Sequence, residues 1–150
     1  MECEVLIRRL RPEAAIPARA TAGSAGADLR AVCPDGPVVV PAGGDAVVDT
    51  GIAISLPGPE WVALVFARSG LSIKRGIALA NGVGVIDSDY RGEIRVGLVN
   101  RSGEDFVVST GDRIAQLVVM PVAAARFVET DALDATDRGE GGFGSTGVKG

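Results

Sequence analysis

Short apolar runs separated by Gly and Pro dominate the chain. Glu2-Cys3-Glu4-Val5-Leu6-Ile7-Arg8 reads as an opening strand, and Pro12 and Pro17 interrupt the stretch after it. Thr21 to Ala27 is small and Gly-rich and leads into Asp28-Leu29-Arg30-Ala31. Val38-Val39-Val40 is a short strand between the turns Pro34 to Pro37 and Pro41-Ala42-Gly43-Gly44. Asp45 to Leu56 is β-rich, with Val47, Val48, Ile52 and Ile54 arranged around Thr50-Gly51. After the hard stop of Pro57-Gly58-Pro59, Trp61 to Phe66 is almost wholly apolar, as expected of a buried strand. Ile94 to Val99 alternates apolar and polar, Phe106-Val107-Val108 and Arg113 to Val122 supply more strand, and Phe127-Val128 is expected to close the compact part.

One stretch departs from this pattern. In Ser69-Gly70-Leu71-Ser72-Ile73-Lys74-Arg75-Gly76, Ser69 can cap a short helix and Gly76 can end it. Many short strands with Gly/Pro turns, and no long helical period, argue for an all-β fold. The expectation is a jelly-roll-like barrel or sandwich with one short helix. Residues 1–133 would form a single β-domain. From Asp134 onward the chain is polar and Gly-rich, so residues 134–150 are expected to form a flexible C-terminal arm.

Composition narrows the chemistry. With 150 residues and 47% hydrophobic content, one domain can bury a real core. Aromatic content of 4% leaves that core to Val, Ile, Leu and Ala. A net charge of −4 disfavours duplex DNA and anionic membranes, so neither nucleic acid nor membrane is an expected partner. Arg68, Lys74, Arg75, Arg91 and Arg95 still leave room for a local anion site. The absence of His removes His-based triads, His general bases and the usual zinc sites. Any metal must then be a hard cation held by oxygen. Cys3 and Cys33 read as free thiols in a reducing, cytoplasmic compartment. No signal peptide is visible in the charged stretch from Met1 to Arg11.

Polar clusters interrupt the strands at five places. The central one comes after Val83, Val85 and Ile86, where Asp87-Ser88-Asp89-Tyr90-Arg91 sets two carboxylates, a phenol and a guanidinium in a turn after a strand. If Val85 points inward, Asp87 and Asp89 share its side of the pleat. The turn would let Asp87 and Tyr90 border the same hollow. A carboxylate there can serve as a general base or as a magnesium-side ligand, or it can belong to a solvated Asp-rich turn. In Ala67-Arg68-Ser69-Gly70-Leu71, backbone N–H groups of Ser69 and Gly70 at a helix N-terminus beside Arg68 suit a phosphate. The same residues also describe a capped surface helix with a solvated arginine. In Gly111-Asp112-Arg113-Ile114-Ala115-Gln116-Leu117, the amide of Gln116 either reaches a ligand or faces water on an edge strand. Ala25-Gly26-Ala27-Asp28-Leu29 is the first cluster.

The last cluster, Arg138 to Gly147, contains Gly139-x-Gly141-x-x-Gly144. Without a preceding strand or a following helix it is not a dinucleotide-binding turn. It is either a frayed tail or a lid, and the lone Phe143 framed by glycines suits a lid that stacks on a base.

In order and spacing, the five clusters resemble the signature motifs of the trimeric deoxyuridine triphosphatases (dUTPases), from Ala25 to Gly147. The resemblance implies a jelly-roll-like fold, a homotrimer with shared active sites, and hydrolysis of dUTP to dUMP and pyrophosphate with Mg2+. It implies that Asp87 is the general base and that Asn81 recognises uracil. It implies that Tyr90 packs under the deoxyribose and leaves no room for a 2′-hydroxyl. Asp28 would hold magnesium through waters. Arg68, Ser69, Gly70 and Gln116 would contact phosphates. Arg138, Phe143, Ser145 and Thr146 would form the arm that closes over the nucleotide. Two positions depart from the pattern: Ala67 stands where many members have Pro, and Ser72 where Ala is common.

The chemistry is consistent with these residues. Triphosphate hydrolysis calls for charge neutralisation and positioning more than covalent catalysis. The alternatives are a dCTP deaminase-like enzyme and a non-catalytic trimeric nucleotide-binding module. The Asp-x-Asp-Tyr turn and the Phe-Gly-Ser-Thr arm speak against the first, and an intact Asp87 speaks against the second.

Overall fold

The structure is a computed structural model and describes residues 2–142. Met1 and residues 143–150 lie outside the described residues, and with them the expected arm residues Phe143, Ser145 and Thr146. The strands in chain order are β1 (Leu6–Arg9), β2 (Ala18–Arg19), β3 (Ala27–Arg30), β4 (Val38–Val40), β5 (Asp45–Asp49), β6 (Ile52–Ser55) and β7 (Trp61–Phe66). After the helix α1 (Ser69–Arg75) come β8 (Ile77–Leu79), β9 (Gly84–Ile86), β10 (Arg95–Asn100), β11 (Phe106–Val108) and β12 (Arg113–Pro121). The all-β, jelly-roll-like expectation with one short helix holds. β2 and β8 are strands that apolar patterning did not single out.

The largest sheet has the order β2-β3-β12-β7-β9, beside a three-stranded sheet β5-β10-β8 and the two-stranded pairs β1-β6 and β4-β11. Every ladder is antiparallel. The inner faces meet in an aliphatic core that includes Leu29, Val40, Val48, Ile52, Ile77, Leu98, Val108 and Ile114. Among the described residues no aromatic side chain is buried, in keeping with the low aromatic content. Among the described residues two polar side chains are fully buried, and both are satisfied. Thr50 Oγ1 donates to Ile94 O at 2.6 Å. Asn100 Nδ2 donates to Val40 O and Glu104 O, while its Oδ1 accepts from Ser102. Such closed networks avoid the cost of orphaned polar groups.

Three local expectations change. Ser69 does not cap α1: Arg68 occupies the N-cap position in extended conformation, and no side chain caps the first turn. Gly76 ends the helix as expected, in the left-handed region at φ 70°, where a side chain is disfavoured. Phe127 and Val128 do not close the compact part. Phe127 is 95% exposed, and the last strand ends at Pro121. Beyond it, the segment to residue 140 is exposed throughout and joins no ladder among the described residues. The apolar β7 is not wholly buried either: Val62, Leu64 and Phe66 leave one side only half-covered, while Trp61 packs partly buried on the core side.

Candidate active site

Two groups of side chains stand at different places on the five-stranded sheet. The first surrounds a hollow of about 260 Å³ beside β9. Its floor is apolar, from Val65, Leu79, Ile86, Ile94 and Val96, and Asn81, Asp87 and Tyr90 stand at its edge. Asn81 lies in the tight turn between β8 and β9, where Gly82 takes φ 72° and the Val83 N–H returns to Asn81 O at 2.8 Å. β9 buries Ile86 and turns Val85 outward, so Asp87 comes out on the exposed side with Val85. The pleat ends there, because Tyr90 N–H donates to Asp87 O at 3.1 Å and closes a turn. Asp89 is therefore carried away by the turn and does not line the hollow, whereas Asp87 and Tyr90 do. Arg91 holds the turn by donating to Ser88 O at 2.7 Å and Tyr90 O at 3.0 Å.

The second group is built on β3, β12 and the exit of β7. A register shift between Arg113 and Ala115 makes Ile114 an extra residue, so Gln116 lies opposite Asp28 on one side and Phe66 on the other. β12 is a central strand, which removes the edge-strand reading of Gln116. Gln116 Nε2 donates to Ala67 O at 3.0 Å. This contact runs through the carbonyl of residue 67, a group that Ala supplies as Pro would. Arg68 Nε donates to Asp28 Oδ1 at 2.9 Å, and Arg113 Nη1 stands 3.3 Å from Asp28 Oδ2. One carboxylate between two guanidiniums leaves a net positive charge, which suits an anion. Ser69 and Gly70 come directly after Arg68 at the exposed, uncapped start of α1.

Register also separates the two groups. Asp87 leaves β9 next to the Ala63 end of β7, while Arg68 lies beyond the Phe66 end. Their backbones are thus at opposite ends of β7, on the order of 15 Å apart at about 3.3 Å per residue. Arg138 joins neither group, since its Nε donates to Gly141 O within its own loop at 3.0 Å.

Arg113 and Glu93 received no role from the sequence, yet both belong to this architecture. Arg113 lies opposite Arg30 on β3, on the face that also carries Asp28 two residues away. Glu93 borders the hollow, and its carbonyl accepts the Tyr90 hydroxyl at 3.0 Å.

A family model, dUTPase, matches residues 12–147. The chain belongs to the dUTPase family. Among curated relatives, the deoxyuridine 5′-triphosphate nucleotidohydrolase of Desulfitobacterium hafniense is 56% identical over 89% of this chain and 87% of its own length. That of Hahella chejuensis is 50% identical over 97% and 95%. Among solved structures, the G164S mutant of the Staphylococcus bacteriophage 80alpha dUTPase with dUpNHpp superposes with a TM-score of 0.87 at 25% identity. The match covers 97% of this chain and 99% of that one. The jelly-roll sheets that carry both groups of side chains are thus those of a dUTPase chain.

Proposed function

We propose that this dUTPase hydrolyses dUTP with Asp87 as the general base, at sites that the chain completes only as a homotrimer. The overall activity is that of the family: dUTP gives dUMP and pyrophosphate, which keeps uracil out of DNA and supplies dUMP for thymidylate synthesis. The observation that carries the residue assignment is the convergence of Asn81, Asp87 and Tyr90 on one apolar-floored hollow.

In this reading the pyrimidine and sugar enter the hollow. Asn81 reads the uracil edge, and a cytosine is rejected because its amino group leaves the site's polar groups unpaired. Tyr90 forms the wall against the deoxyribose and excludes a 2′-hydroxyl. Asp87 takes a proton from water attacking the α-phosphorus, help worth about 10²–10⁴-fold. Arg68, the N–H groups of Ser69 and Gly70, and Gln116 hold the phosphates.

Separation of Asp87 from Arg68 within one chain supports sites shared between subunits. The half-covered face of β7 and the exposed Phe127 and Leu133 support burial against further copies. Arg138, with Phe143, Ser145 and Thr146, would then close over a neighbouring site.

Among the described residues no cluster of acidic side chains forms a metal cage. Asp28 is a lone carboxylate already in contact with two arginines. A carboxylate oxygen suits a hard cation, and Asp28 would hold magnesium through water. When bound, magnesium supplies neutralisation of phosphate charge. No helix of the described residues is long and apolar enough to cross a membrane. We place the enzyme in the cytoplasm on its free thiols, Cys3 and Cys33.

The test is a nucleotide panel with magnesium, read as pyrophosphate and ammonia release. Pyrophosphate from dUTP, and far less from dTTP, dCTP and UTP, is expected. Equal turnover of UTP would remove the role given to Tyr90, and ammonia from dCTP would favour deaminase chemistry.

A further inference from the structure

We infer that Glu93 is the positioning residue that fixes Tyr90, and hence the discrimination between deoxyribose and ribose. This rests on the reading of Tyr90 as the sugar wall.

Tyr90 is 46% exposed and stands on a turn, so packing alone does not hold its ring. Two features of the next few backbone residues do. The ring folds over Gly92, where a Cβ would overlap the phenol, and its hydroxyl donates to Glu93 O at 3.0 Å. Residues 91–94 belong to no strand, and one backbone bond, Ile94 N–H to Ile52 O at 2.9 Å, holds the peptide that carries that carbonyl. The Glu93 side chain adds a second tie. Its Oε1 accepts the Gly51 N–H at 2.8 Å, and its Oε2 lies 4.0 Å from Arg95 Nε, which is itself 3.1 Å from Asp49 Oδ1.

The anchor at the other end is rigid. Gly51 is the buried corner between β5 and β6, at φ 67°, where a Cβ would come within 2.8 Å of Ala14 Cβ. Thr50 and Ile52 beside it are 1% exposed and bind Ile94 through both its carbonyl and its N–H. The wall of the hollow is thus tied to the core through the Ile94 backbone and the Glu93 side chain, and a shift of about 1 Å in such a wall is enough to change selectivity.

The experiment measures kcat/KM for UTP and dUTP, and their ratio, in Glu93→Ala, Glu93→Asp, Glu93→Gln, Tyr90→Phe and Tyr90→Ala. Thermal melts are recorded in parallel. Tyr90→Ala should raise the UTP:dUTP ratio most. Glu93→Ala should raise it about tenfold, and Tyr90→Phe, which cuts the same tie at its other end, should match it. Glu93→Gln keeps an oxygen for the Gly51 N–H and should restore the wild-type ratio. Glu93→Asp keeps the charge but is one methylene too short. It should show part of the Ala effect, and it stands in if the Ala variant fails to fold. Should Tyr90→Ala change the ratio while Glu93→Ala and Glu93→Asp leave it at the wild-type value, the inference is overturned and the reading of Tyr90 survives. Should Tyr90→Ala itself leave the ratio unchanged, both fall.

Discussion

Gln116 faces Asp28 across β12 and β3 only because Ile114 is inserted as an extra residue between Arg113 and Ala115. In an unbulged ladder each residue of β12 beyond the shift would move one step along β3, and a one-step slip reverses which face a side chain occupies. The bulge lets Ile114 and Ala115 both enter the core while Arg113 and Gln116 stay with the carboxylate. A single backbone irregularity thereby assembles the positive end of the proposed phosphate site.

Gln116 is held in place from below by a missing side chain. A Cβ at Gly26 would come within 2.8 Å of Gln116 Oε1. Because the obstructing atom is the far end of a flexible side chain, Gly26→Ala should fold normally and displace the amide instead. KM for dUTP is expected to rise about tenfold with Tm nearly unchanged. Unaltered kinetics would show that Gln116 does not touch substrate.

Asp87→Asn keeps size and hydrogen-bonding capacity but removes the base. It should lower kcat by about 10²–10⁴-fold while dUTP affinity stays within about tenfold. In ¹⁸O-water the wild type should place label in dUMP. Label confined to pyrophosphate would contradict attack at the α-phosphorus.

Asp28→Asn leaves Arg68 and Arg113 without their shared carboxylate. Without magnesium the variant should bind pyrophosphate or the triphosphate more tightly than wild type, because two guanidiniums are released for the anion. Its activity should need more magnesium. Calorimetry with and without the metal separates the two effects. Weaker anion binding in both conditions would show that the carboxylate serves only to position the arginines.

Assembly makes its own prediction. A chain ending at Ala135 should fold and trimerise but lose most activity. Mixed one-to-one with Asp87→Asn chains that keep residues 136–150, it should regain about a quarter of wild-type turnover, since an intact base then meets an intact arm from another subunit in that share of sites. If mixtures stay inactive while subunit exchange is demonstrated, each arm serves its own subunit.

The core prediction concerns Leu98, 1% exposed and paired with Ala46 and Leu79 on its two sides. Leu98→Ala should cost about 2–5 kcal/mol in urea denaturation at fixed protein concentration. A loss below about 1 kcal/mol would mean the site collapses around the smaller side chain.

The amino-acid sequence by itself determined the β-rich elements, the helix after Phe66, and the turn that brings Asp87 and Tyr90 to one hollow. These rest on period-two patterning and on turn chemistry, which act over a few residues. Its local reading went astray where the deciding partner was distant or absent. Ser69 suits a helix cap by type, yet the chain enters α1 one residue earlier. Phe127 and Val128 are apolar, yet the described residues leave them exposed. Only the tertiary structure decided that Arg113 meets Asp28, 85 residues away, and that Glu93 ties the Tyr90 turn to Gly51, 42 residues away. Those contacts depend on strand register across the sheet and on a corner of the core, and neither leaves a trace in the residues adjacent along the chain.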